Sequence, residues 1–202
     1  MKTALDVHRT LLAADVPHEM VRLRTAALGA DDLPRALGVA SSSCVVVRCY
    51  VVTASAAPAS LCGVLLRSGD TPDPGSLLTA LDAEAIRPAV AAEVNAATGY
   101  ASALVSPVPL PAGVLLLADA ALGGRFGRSD LLYAPTGEAG VALGIRLHHL
   151  LVASGARVTT LTARPLAAEE RLGWPGSAGQ DSGDAPVLEL RRLGSRATSR
   201  AG

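Results

Sequence analysis

The run Cys44-Val45-Val46-Val47-Arg48-Cys49-Tyr50-Val51-Val52 constrains this chain more than any other stretch. Its β-branched residues suit a pleated surface packed on both faces, so it reads as a buried strand. A guanidinium in the middle of that strand must then meet an anion, or reach an opening where one can arrive. Ser60 to Arg67 reads as a second strand, joined to the first through a small-residue loop containing Pro58, which gives an antiparallel hairpin.

Around the hairpin the pattern alternates between short helices and short strands. Thr3 to Ala14 places Leu5, Val7, His8, Leu11 and Leu12 mostly on one face and stops at Asp15-Val16-Pro17, which reads as an amphipathic helix. His18 to Leu23 alternates as a half-buried strand, and Asp31 to Gly38 is a short helix with acids at its start and a glycine stop. Helices are expected from Asp73-Pro74-Gly75-Ser76 through Leu81 and over Ile86 to Ala96. Ala101 to Pro111, punctuated by Pro107, Pro109 and Pro111, is irregular. Strands are then expected at Gly113 to Ala118, Asp130 to Ala134, Val141 to Leu143 and Arg157 to Thr162, with a helix over Ile145 to Ala153. The segment Ala118 to Gly127 reads as a loop.

Elements that interleave without regular βα repeats predict an α/β (α+β) domain. Its sheet should be curved, mixed and mainly antiparallel, or a partial barrel, with short helices around it. The domain is expected over residues 1–164. Residues 165–202 are expected as a flexible tail, whose Trp174 to Asp184 is a linker, whose Val187 to Leu190 could form a strand or a turn of helix, and whose Arg191, Arg192, Arg196 and Arg200 form a solvated or phosphate-contacting arm.

Charge narrows the function classes. Acidic and basic residues number 18 each, so no global positive field draws the chain onto nucleic acid, and neither DNA nor a membrane is an expected partner. Aromatic residues make up 2%, too few for a base-stacking platform. The start carries charge every few residues and has no apolar core of a signal peptide, and no stretch reaches the roughly 18 uninterrupted apolar residues expected of a membrane span. Cys44, Cys49 and Cys62 lack CxxC spacing, which argues against zinc or a disulfide framework and fits a reducing cytoplasm. His148 and His149 are expected to point in different directions and make no metal pair, and His8 and His18 to be boundary residues. Ser41-Ser42-Ser43 is not a nucleophile elbow. Asp119, ending an apolar strand, reads as a cap for the segment after it, although a carboxylate such as Asp119 could also pair with Arg48.

The order of several short segments resembles the YbaK/ProX family of aminoacyl-tRNA deacylases, which also occurs as the editing insertion of some prolyl-tRNA synthetases. The segments are Ala13-Ala14-Asp15-Val16-Pro17-His18, Leu37-Gly38-Val39 running into Val45-Val46-Val47-Arg48, and Val94-Asn95-Ala96-Ala97-Thr98-Gly99-Tyr100 leading to Val105-Ser106-Pro107. They continue with Val114 to Asp119, Leu132-Tyr133-Ala134-Pro135-Thr136-Gly137 and Ser154-Gly155-Ala156, and together cover roughly residues 3 to 163.

The resemblance implies a cleft for the 3′-terminal aminoacyl end of a tRNA, hydrolysis of a carboxylic ester, no metal and no organic cofactor. An aminoacyl-tRNA synthetase is a further partner that it implies. Arg48 matches a family lysine at the cleft, Ala103 stands where the family has the glycine of GxxxP, and Ala142 where some members have an acid. The resemblance therefore nominates Arg48, Ala103 and Gly137 for catalysis. For the substrate it nominates Arg48, Gly99, Ser106, Pro107, Thr136 and Gly137. The same departures motivate a rival expectation, a non-catalytic relative that binds aminoacyl-tRNA, a synthetase or a small metabolite.

Overall fold

The computed structural model of the chain describes residues 1–55, 57–127, 130–161, 163–165 and 190–191. The linker and most of the arginine-bearing tail expected beyond 165 lie outside these residues.

The chain begins with helix α1 (Ala4–Ala13), strand β1 (His18–Arg22) and helix α2 (Leu33–Leu37), the last preceded by a 3-10 turn at Ala30–Asp32. The hairpin comes next as β2 (Val45–Ala54) and β3 (Ala57–Arg67), then β4 (Asp70–Thr71), α3 (Pro74–Leu81), β5 (Ala85–Pro88) and α4 (Ala91–Thr98). After the irregular segment come β6 (Leu115–Asp119), α5 (Ala121–Arg125), β7 (Leu131–Pro135), β8 (Val141–Arg146), α6 (Leu147–Ser154) and β9 (Arg157–Thr159). Two short strands, β10 (Arg164–Pro165) and β11 (Leu190–Arg191), complete the set.

The largest sheet is mixed and runs β11-β5-β2-β3-β6-β9, antiparallel up to β3 and parallel from there on. An antiparallel sheet, β1-β8-β7, joins it through a parallel bridge between Cys44 and Tyr133, and β4 pairs with β10. Among the described residues this is the expected mixed α/β architecture with short helices, divided into three sheets and not closed into a barrel.

Strand alternation sorts the hairpin into two faces. Val45, Val47 and Cys49 enter the main core with Leu65, Tyr100, Val105, Val108, Leu132 and Leu143. On the opposite face Tyr50 and Val52 pack with Leu66, Leu77, Leu78, Ile86 and Leu117, while Cys44 joins a small cluster with Ala27, Leu33, Ala36, Leu104 and Ala142. Cys44 and Cys49 do face opposite sides. All three thiols are buried, and burial pushes each up to about 12. Iodoacetamide at pH 8 should therefore leave the native protein unmodified and alkylate three sites after denaturation. Mass spectrometry of both states reads this out.

Several elements differ from the sequence reading. Pro58 lies within β3, not in a loop. Residues 85–88 form a strand where a helix was expected, because they pair with Tyr50 to Thr53, so the helix begins only at Ala91. The expected helix from Ile145 starts at Leu147, since Ile145 and Arg146 extend β8 against β1 and β7. Ala121 to Arg125, expected in a loop, is helical. The strand reading of the apolar run ending at Leu190 does meet the structure: the backbone of Leu190–Arg191 pairs with β5, so a piece of the tail continues the sheet.

Helix α4 leads directly into the region of interest, and its start is held by Glu93. That carboxylate accepts from the Val90 N-H at 2.9 Å and takes a bidentate contact from Arg87 at 2.6 and 2.8 Å. The Arg87 guanidinium, with a smaller contribution from the Val90 N-H, lowers Glu93 to about 2. A depressed folded value means that this contribution is complete above the ordinary carboxylate range and fades as pH falls toward about 2. Both side chains are about a third exposed, so water weakens the effect. Glu93→Gln should flatten the acid limb of the stability curve, measured by urea unfolding from pH 6 downward.

Candidate functional site

Helix α4 stops at Gly99, whose φ of 76° takes the chain out of the helix. The next residue, Tyr100, is fully buried and organises the loop beyond it. Its hydroxyl donates to the Val108 carbonyl at 2.9 Å, and the Ser106 hydroxyl donates to the same carbonyl at 2.7 Å. The Val108 N-H returns to Ser106 Oγ at 3.3 Å. Burial pushes the Tyr100 phenol well above its ordinary range, so it is a fixed donor.

Gly137 stands against the same ring. Its φ is 91°, and a β-carbon there would lie 2.7 Å from Tyr100 Cδ1 and 2.8 Å from the Lys2 carbonyl oxygen. Next to it Thr136, fully buried, donates its hydroxyl to the Val141 carbonyl at 2.8 Å. The structure thus gathers Gly99, Ser106, Pro107, Thr136 and Gly137 around Tyr100. The Ser106 and Thr136 hydroxyls serve the turns that hold this loop.

Lys2 was not nominated from the sequence, yet it belongs here. Its backbone N-H donates to the Gly99 carbonyl at 2.7 Å, and its Nζ donates to the Pro109 carbonyl at 2.7 Å while lying 5.2 Å from the Tyr100 ring centroid. Burial, partly offset by Asp6, lowers its ammonium from the ordinary lysine range. The signal available in the sequence was that Lys2 is the sole lysine of the chain.

Arg48 faces the other way. Its neighbours Val47 and Cys49 enter the main core, so its side chain leaves from the face that carries Tyr50 and Val52. The open approach expected for an anion is not what the structure shows: Arg48 is 2% exposed. Its Nε donates to the Asp70 carbonyl at 2.7 Å, and one terminal nitrogen reaches both oxygens of Asp31 at 2.9 and 3.2 Å. Among the described residues, Asp31 is a carboxylate that meets Arg48. Asp119 is 5% exposed and accepts from the Ala121 and Leu161 N-H groups at 3.3 and 3.4 Å, as its reading as a cap requires.

Ala103 lies in a 3-10 turn, Ser102–Leu104, and packs with Ala142 in the apolar cluster built on Cys44 and Leu33. That cluster sits on the Arg48 face of β2, four residues upstream. The positions that the resemblance singles out at 48, 103 and 142 thus share one side of the strand, but here two are methyl groups and the third is an ion-paired arginine.

No group of three His, Cys, Asp or Glu residues is placed to hold a metal among the described residues. His148 and His149, expected to diverge, have ring centroids 3.9 Å apart. His8 and His18 meet at 2.8 Å at the boundary of α1 and β1. An open depression of about 330 Å³ lies elsewhere, between α3 and β9, lined by Gly75, Ser76, Thr79, Ala80, Thr159 and Thr160. None of the nominated residues lines it.

The chain is 23% identical to hypothetical protein APE2540, with a TM-score of 0.66 over 79% of this chain and 99% of that one. It is 22% identical, with a TM-score of 0.63 over 78% of this chain and 95% of the other, to a protein named “putative trans-editing enzyme for prolyl tRNA synthetase”. The fold is YbaK-like. A larger chain from Marinobacter aquaeolei VT8, named “Putative signal transduction protein”, shares it at 13% identity and a TM-score of 0.54, with 31% of that chain covered. No family model and no curated protein matches the sequence. At these identities the YbaK-like likeness concerns the fold, and fold alone does not carry activity. Among the described residues no helix is long and apolar enough to cross a membrane.

Proposed function

We propose that this protein is a free-standing cytoplasmic aminoacyl-tRNA deacylase that removes a small amino acid from a mischarged tRNA. The observation that carries the proposal is the match, over 95% of its length, to a chain named for trans-editing, taken with the family order of segments around Arg48, Ser106-Pro107 and Thr136-Gly137. Water attacks the ester carbonyl, the bond to the ribose oxygen breaks, and the free amino acid leaves a tRNA with its terminal hydroxyl restored. Such a reaction needs the carbonyl held still and its developing negative charge met by hydrogen-bond donors, and it requires no protein nucleophile.

In this reading the rigid loop from Gly99 to Pro109, braced by Tyr100, orients the terminal aminoacyl group. Gly137 lets its turn pack directly against the Tyr100 ring and the Lys2 backbone, which fixes the loop in place. Arg48 supplies positive charge for the anionic tRNA end only once its pair with Asp31 opens, and it is no base, since it stays protonated. The test is a panel of alanyl-, cysteinyl- and seryl-tRNA. At least one should lose its ester faster with protein than in buffer, and Arg48→Ala should reduce that rate or weaken binding. A panel without turnover would remove the proposal.

A second reading is supported by a specific observation: Arg48 is already neutralised, and Ala103 and Ala142 lie in an apolar cluster. In it the protein binds an aminoacyl-tRNA, a synthetase or a small metabolite without hydrolysis. Tight tRNA binding with no ester loss, and gain of hydrolysis on installing lysine at 48 together with glycine at 103, would favour it.

A further inference from the structure

The Asp31 carboxylate is held unusually well for a side chain that is 43% exposed. Besides the two contacts from Arg48, its Oδ1 accepts from the Ser68 hydroxyl at 3.2 Å and from the Gly69 N-H at 2.8 Å. These donors come from β2 and from the turn after β3, and they converge on one point from residues 17, 37 and 38 positions along the chain. Gly69, with φ of 84°, aims its N-H at that point, and Ser68 is 3% exposed. The neighbouring Asp70 carboxylate is not in competition, because it is engaged by Arg67 at 2.7 and 3.0 Å and gives Arg48 only its carbonyl. A charged guanidinium, a hydroxyl and a backbone N-H around one oxyanion form a receptor in their own right.

We propose that Arg48, Ser68 and the Gly69 N-H are an anion receptor whose resident occupant is the chain's own Asp31. An incoming phosphate or carboxylate takes the receptor when the Ala30–Asp32 turn swings out. The donors are fixed in the sheet and its turn, whereas the occupant stands on a short 3-10 turn with its carboxylate already partly in water. A tethered occupant acts at a high local concentration, so a weak anion is excluded and only a ligand with further contacts displaces it. If the ligand is the phosphate of a tRNA end, Asp31 gates the site named above; that link rests on the proposed function, and the receptor does not.

The experiment removes the occupant from the full chain. Asp31→Ala and the milder Asp31→Asn are melted in chloride, formate and inorganic phosphate at equal ionic strength. Their melting temperatures should be depressed in chloride and recover saturably with formate or phosphate, while the unmodified protein responds little. Adenosine 5′-monophosphate, titrated by calorimetry, should bind the Asp31→Ala protein about ten-fold more tightly or better than the parent, the factor set by release from an internal competitor. Adding Arg48→Met to Asp31→Asn should abolish both effects. Formate and phosphate separate a carboxylate from a phosphate preference. Melting temperatures in both single variants that ignore the anion, or a recovery that persists without Arg48, would overturn the receptor. Neither readout involves ester hydrolysis, so failure of the deacylase reading would leave the result standing, and the reverse also holds.

Discussion

Gly137→Val should lower stability by about 2 to 5 kcal/mol. Positive φ costs a side chain roughly 1–2 kcal/mol, and forcing atoms into a filled site typically adds about 1–3 kcal/mol. Relief is blocked on both sides, since the contacts at 2.7 and 2.8 Å are to the buried Tyr100 ring and to backbone at Lys2. Gly38→Ala is the control, because its φ of 72° is similar but a β-carbon there meets open space. It should cost about 1 kcal/mol, the conformational part alone. Urea midpoints of the two variants at constant slope decide this, and equal losses would mean that Gly137 is not pressed against Tyr100.

The second large effect is an asymmetry within the Arg48–Asp31 pair. Removing one partner of a buried ion pair typically costs about 3–5 kcal/mol, because the survivor is left charged and poorly solvated. Here the survivors differ: Arg48 is 2% exposed and Asp31 43%. Asp31→Ala strands the guanidinium and should cost about 3 kcal/mol, the low end because water can enter where Asp31 stood. Arg48→Met leaves Asp31 free to hydrate and keeps the stem packed, at a cost of about 1–2 kcal/mol for the Asp70 carbonyl contact. Chemical unfolding of both variants tests the order, and a larger loss for Arg48→Met would show that the arginine is not buried as described.

This pair also marks where sequence reasoning ran out. The valine-rich run announced a buried strand, and the demand that Arg48 meet an anion was sound, but nothing local identifies the anion. Asp31 reaches it from 17 residues upstream through a turn that only the packed sheet positions. The hairpin, the first helix and the strand at His18 were legible because their signals are local: β-branched runs, a helical stripe and an alternating strand. Residues 85–88 were not, because the alanines after them extend a helical pattern backward, and only pairing with Tyr50 to Thr53 decides for a strand.

The candidate site divides in the same way. Gly99, Ser106 and Gly137 were nominated through the short segments that contain them, which are local features of the sequence. That they meet around Tyr100, with Lys2 laid across them, depends on contacts between segments a hundred residues apart. That Arg48 and the Tyr100 loop lie on opposite faces of β2 comes from strand parity, which becomes informative only once the partner of each face is known.

The proposed activity is hydrolysis of an aminoacyl ester at a tRNA end. The most direct measurement is the lifetime of alanyl-, cysteinyl- or seryl-tRNA with the protein in molar excess, against buffer and against Arg48→Ala. A lifetime shortened for at least one ester, and restored toward the buffer value by the variant, is the expected result. Esters that decay at the buffer rate, or that are protected on binding, would contradict it.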